Sequence, residues 1–192
     1  SMQPILQDRL PIPDPPPAYG EAEALERVWD FPGALQHYAG LPSSPPTLLR
    51  RGQILQAMGR TKEARQTWEE ACQMTPLDPT IHGLLQANVA ESLLLDKLWE
   101  DSLPHFDQCH QLYPTYLPAQ MRQAYALVRL GQFEVATLML AAVKKLPDLT
   151  DDNLYLLADT YLTLRHVQDA MHCFTEIVKH QPNTVLGLVS QA

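Results

Sequence analysis

Small and apolar residues follow a helical rhythm along this chain, and the rhythm itself returns about every 34 residues, the spacing of stacked helix pairs. The stretch from Leu48 to Pro76, LLRRGQILQAMGRTKEARQTWEEACQMTP, carries it best. Gly52, Gly59, Ala64, Trp68, Ala71 and Pro76 mark it there. Ala124, Gly131, Ala136 and Leu140 mark it again, as do Ala158, Ala170, Phe174 and Pro182. No segment shows the sustained alternation of a strand. The pattern predicts a first helix over 20–30, punctuated by Pro32 and Gly33, with GALQHYAGL as its short partner. LPSSPP at 41–46 then breaks the chain. Leu48–Met58 and Lys62–Met74 form a hairpin turned at Gly59. The pairs 80–95 with 99–112, 117–130 with 133–145, and 151–164 with 167–180 follow, each ended by a proline (Pro114, Pro147, Pro182). Residues 184–192, TVLGLVSQA, read as the start of a further helix.

Each pair must bury one face on its partner and another on the next pair, and close approach needs small residues at the crossing. Gly52, Ala90, Ala124 and Ala158 supply them on the first helices. Ala64, Ser102, Ala136 and Ala170 supply them on the second. Large side chains one turn on, Trp68, Phe106, Leu140 and Phe174, fill the remaining space as a close-packed core requires.

This arrangement resembles the tetratricopeptide repeat, in which small residues hold the eighth, twentieth and twenty-seventh positions, an aromatic the twenty-fourth and proline the thirty-second. Gly52, Ala64, Ala71, Trp68 and Pro76 match in full. Ala158, Ala170, Phe174 and Pro182 match nearly so, with Ile177 in a place usually small. The third unit matches through Ala90, Phe106 and Pro114, but carries Ser102 and Cys109, lacks the turn glycine and runs about one helical turn long. The first unit, with Ala34, Tyr38 and Pro46, is degenerate. The resemblance implies an all-α, right-handed superhelical solenoid of antiparallel helix pairs over 18–192, with four good repeats, a degenerate first one and a partial last helix.

It also implies a concave groove lined by the first helices. The family register places Leu49, Arg50, Gln53 and Gln56 there, then Ala87, Asn88 and Glu91, then Met121, Arg122, Tyr125 and Arg129, and finally Tyr155 and Asp159. These make a mixed polar and aromatic groove suited to a peptide, with Tyr125 and Tyr155 as candidate anchors. Arg122 and Tyr125 are expected to be exposed. Family members that clamp a chaperone's terminal carboxylate use a set of lysine, asparagine and arginine side chains. Leu49, Gln53, Asn88, Pro118 and Arg122 stand at those places and match at two, which disfavours that role.

The net charge of -8 argues against a nucleic-acid partner. Arg50, Arg51, Arg60, Lys62 and Arg65 make a small basic patch without stacking aromatics. The longest apolar runs are too short to insert in a bilayer. Residues 1–17, with RLPIPDPPP, read as a Pro-rich leader or linker. Ser1 before Met2 reads as a residue left by tag cleavage. Cys72, Cys109 and Cys173 form no disulfide framework, and a reducing, cytoplasmic compartment is expected, with a periplasmic or membrane-tethered one as the alternative. No catalytic motif, phosphate loop or cofactor signature is present. His105, Cys109 and His110, and His172 beside Cys173, lack the paired short spacings of a zinc site. The sequence therefore points to a non-catalytic scaffold that binds a peptide or protein segment. The alternatives are a substrate-presenting module of a larger enzyme and a bacterial envelope assembly factor. The apolar stretch 184–192 suggests a homodimer formed through the C-terminal helix.

Overall fold

The computed structural model describes residues 19–147 and 149–180. The Pro-rich stretch 1–17 and the helix expected at 184–192 lie outside them. The described residues form ten helices: α1 Tyr19–Arg27, α2 Phe31–Ala39, α3 Pro45–Ala57, α4 Thr61–Cys72, α5 Pro79–Leu95, α6 Trp99–Leu112, α7 Leu117–Arg129, α8 Phe133–Lys144, α9 Asp151–Thr163 and α10 Val167–His180. Each helix from α1 to α7 packs on the next, α9 packs on α10, and α3, α5, α7 and α9 also pack on one another in a row. No comparable row joins the second helices among the described residues, so the stack curves with its first helices inside. The architecture is a helical-repeat solenoid.

Helix starts are written in caps and prolines. Ser44 and Asp78 accept backbone N–H groups from Thr47, and from Thr80 and Ile81, while Thr150 accepts from Asn153. Pro45, Pro46, Pro79 and Pro118 occupy first turns, where a missing N–H does no harm. The same rule corrects the reading of Pro32 and Gly33. They do not separate α1 from α2 but open α2, whose cap Asp30 accepts from the Gly33 N–H at 3.0 Å.

The turn inside every pair has one geometry. The residue at its apex is left-handed: Trp29, Gly59, Lys97, Gly131 and Arg165 have φ between 61 and 78°. The following N–H, from Asp30, Arg60, Leu98, Gln132 and His166, then bonds a carbonyl five residues back at 2.9 Å in all five turns. Glycine fills only two of these apices.

The small-residue positions are closed. Ala64, Ala90, Ala124, Ala136 and Ala158 have no exposed surface, and neither have Trp68 and Leu140. Trp68 Nε1 donates to the Leu49 carbonyl at 3.1 Å, tying α4 to α3. The degenerate first unit is a formed pair: Tyr38 is buried, its hydroxyl donates to Glu26 at 3.0 Å, and Tyr19 meets Thr47 at 2.6 Å. The long third unit places its extra turn in α5, which has 17 residues against 13 in α3, α7 and α9. That helix carries apolar residues on every side and is buried on nearly all of them, because α3, α4, α6 and α7 surround it.

Candidate partner-binding surface

The first helices bring the expected groove residues to one side of the stack, but neighbouring helices approach closely enough to seal several of them. Met121 is fully buried in the core shared by α7, α8, α9 and α10, so it belongs to the packing. Leu49 and Ala87 are buried as well. Arg122, expected to be exposed, is not. Its Nε lies 3.4 Å from Glu91 Oε2 across the α5–α7 contact, with the two side chains 10% and 11% exposed. Burial pushes the Glu91 carboxyl above its usual range, and Arg122 pulls the other way. Arg50 repeats the arrangement two levels down, between α3 and α1: it lies 3.9 Å from Glu23, donates to Gln53 at 3.4 Å and is itself buried. The floor of the surface thus carries two charged rungs between first helices, one from α1 to α3 and one from α5 to α7. The buried Nε of Arg50 and of Arg122 and the Oε1 of Gln56 have no hydrogen-bond partner among the described residues.

What remains accessible lies above those rungs. Gln53, Gln56 and Asn88 are half-buried, and Asn88 Nδ2 donates back to the Leu84 carbonyl at 2.7 Å. In the fourth pair Tyr125 is half-buried and Arg129 exposed. Both meet Trp99, which opens α6: the Tyr125 ring stands edge-on to it at 6.0 Å, and the Arg129 guanidinium lies 5.3 Å from the centre of its ring. In the fifth pair Tyr155 is 54% exposed and edge-on to Phe174, with Asp159 exposed one turn on. Sequence reasoning missed Trp99. The signal was there, since a bulky aromatic opens the second helix of the third unit where the second unit has Thr61. Linking Trp99 to Tyr125 and Arg129 required the contact between α6 and α7.

The remaining chemistry is structural. Arg50 is buried, Arg60 forks onto Glu63 at 2.7 and 2.6 Å, and Arg65 bonds the Ser92 hydroxyl and carbonyl and Asp96, which disperses the basic patch. His105 Nδ1 sits 2.7 Å from Gln86 Oε1. Cys109 and Cys173 are buried, and burial pushes the thiols of Cys72 and Cys109 up to about 11 and about 12. Among the described residues no group of three metal-ligating side chains comes together, and no helix is long and apolar enough to cross a membrane.

Residues 45–76 match the sequence model of the tetratricopeptide repeat. None of the curated proteins compared with the chain matches it in sequence. In fold it is similar to TTC0263, a thermophilic tetratricopeptide-repeat protein from Thermus thermophilus, with a TM-score of 0.71 and 16% identity over 91% of this chain and 95% of that one. It is also similar to YrrB, a repeat protein of the same type with an unusual peptide-binding site, with a TM-score of 0.57 and 20% identity over 93% and 92% of the two chains. A third likeness is to PilF of Pseudomonas aeruginosa, with a TM-score of 0.66 and 16% identity over 91% and 79%. The repeating small-residue code, the five like turns and the row of first helices give this chain the fold of a tetratricopeptide-repeat solenoid, and residues 45–76 carry that repeat's own sequence pattern.

Proposed function

We propose that the chain is a non-catalytic scaffold that holds a peptide or protein segment along the inner row of α3, α5, α7 and α9, with its anchors in the fourth and fifth pairs. The observation that carries this reading is the accessible cluster of Tyr125, Arg129 and Trp99, with Tyr155 and Asp159 on the next helix of the row. Helical-repeat stacks use such concave surfaces for binding. Tyrosines bury apolar surface while keeping a polar tip, and a guanidinium offers a planar fork to a backbone carbonyl or carboxylate. The peptide-binding site of the similar YrrB supports the same choice of ligand class. Gln53, Gln56 and Asn88 extend the surface with amide groups suited to a peptide backbone. A reducing compartment such as the cytoplasm suits the three free thiols.

Proteins captured by the immobilised chain from an extract of its source cells test the reading. The double variant Tyr125→Ala with Arg129→Ala keeps the buried Glu91–Arg122 rung intact. It should lower capture tenfold or more, about 1.4 kcal/mol. Tyr155→Ala with Asp159→Ala should lower it as well. Gln66→Ala, on the exposed side of α4, should not. Full retention in both double variants would move the site off the inner row.

A further inference from the structure

The second helices face outward, and their exposed positions can be compared pair by pair. The nineteenth, twenty-second and twenty-sixth places of the repeat hold Glu63, Gln66 and Glu70 on α4, Asp101, Pro104 and Gln108 on α6, and Asp169, His172 and Glu176 on α10. On α8 they hold Val135, Leu138 and Ala142, and Leu146 continues the line just past the helix end. Spacings of three, four and four residues keep these four on one stripe. Val135 is 50% exposed, Leu138 72% and Leu146 43%. The packing of the fourth pair is complete without them: Ala136, Leu140 and Val143, on the opposite side of α8, fill the core. At these places α4, α6 and α10 carry eight polar residues and one proline, and none carries an aliphatic side chain, so the stripe serves something outside the chain. Contiguous exposed apolar surface on a soluble domain marks an interaction site.

The ends of the stripe indicate what covers it. Exposed Glu134 stands at its beginning and exposed Lys145 at its end. A second α8 laid antiparallel on the first meets that charge order with its own reverse, so that each Glu134 approaches Lys145 of the other copy. The same placement, with a two-fold axis near residue 140, seats Leu138 over Ala142 of the second copy and Ala142 under its Leu138, large on small at both crossings. We propose that the outer stripe of α8 is the interface of a two-fold dimer of this chain, with the two α8 helices antiparallel. An isologous contact of this kind closes on itself and stops at two copies. It also leaves the inner row open in both copies, so the dimer presents two binding surfaces to a partner.

Sedimentation velocity of the full chain over a range of concentrations tests this, with far-UV circular dichroism as the check on folding. The unaltered chain should sediment as a dimer at high concentration. Leu138→Glu should raise the dimer dissociation constant at least tenfold with unchanged helix content, because Leu138 lies outside the core. Glu134→Lys and Lys145→Glu should each weaken the dimer, and the two together should restore it, since only a self-complementary antiparallel contact pairs them. A chain monomeric at every concentration overturns the proposal. A dimer indifferent to Leu138→Glu overturns it too, and would place the contact elsewhere, for instance in residues 184–192. A double charge exchange no better than the single ones removes the antiparallel two-fold.

Discussion

At the scale of single residues, Gly52 shows what the crossing of two helices demands. A Cβ placed there would lie 2.0 Å from Trp68 Nε1 and 2.3 Å from the neighbouring ring carbon. Trp68 has no free volume to retreat into, because it is fully buried and held by its bond to the Leu49 carbonyl. Gly52→Ala should therefore destabilise the chain by roughly 1–3 kcal/mol through overpacking. Gly20→Ala, whose Cβ meets nothing within 4 Å, should leave the chain as stable or more so, because alanine suits a helix better than glycine. Thermal melts of the two variants check this, and equal transitions would show that the crossing tolerates a methyl group. The need for a small residue at Gly52 is legible in the sequence, since it follows from spacing alone. The burial of Arg122 is not. Its exposure depends on how closely α5 approaches α7 and on Glu91 being there to receive it, and both are properties of segments about thirty residues away.

At the scale of elements, the five turns carry one backbone form on different side chains. A left-handed apex is strained for a residue with a Cβ, by roughly 1–2 kcal/mol, and glycine relieves it. Lys97→Gly and Arg165→Gly should each stabilise the chain by about 1 kcal/mol, and Gly59→Ala should destabilise it by a similar amount. Chemical denaturation of the three variants tests this; a loss at Lys97→Gly would mean that its side chain holds the turn. These apices explain which element boundaries were readable. Gly59 and Gly131 announced their turns, and α6 and α10 begin and end where the pattern places them. The end of α1 did not announce itself: its apex is Trp29, an apolar residue that continues the helical pattern, so the helix reads three residues too long. Proline misled in the opposite sense at Pro32, where a residue that usually ends structure occupies the first turn of α2.

At the scale of the whole molecule, each pair touches only its neighbours along the row, and stability is a sum of local terms. The first pair lies at one end of the described stack and is held largely by Tyr38, packed against Tyr19 and bonded to Glu26. Tyr38→Ala removes a fully buried ring, a loss of about 3–5 kcal/mol on the scale of aromatic truncations. Amide hydrogen exchange should accelerate throughout α1 and α2 and remain unchanged in α7 to α10. Uniform acceleration along the chain would instead show a single cooperative unit. The solenoid and its order of pairs are readable from periodicity because every contact that builds them repeats. The accessible cluster around Trp99 does not repeat, and for that reason only its members, and not their meeting, could be read in advance.

The charged rungs beneath the inner surface have an evolutionary consequence. Of the side chains that join first helices, Arg50, Arg122 and Glu91 are buried beneath the inner surface, while Glu23 is 24% exposed. Of the side chains proposed to meet a ligand, Arg129, Tyr155 and Asp159 are exposed, while Tyr125 is half-buried against the core around Phe106. Substitutions at exposed positions usually change stability by no more than about 0.5 kcal/mol. Recognition can therefore drift, broaden or be re-engineered at those positions while the framework beneath stays unchanged, and a lineage of such chains can exchange partners without passing through unstable intermediates.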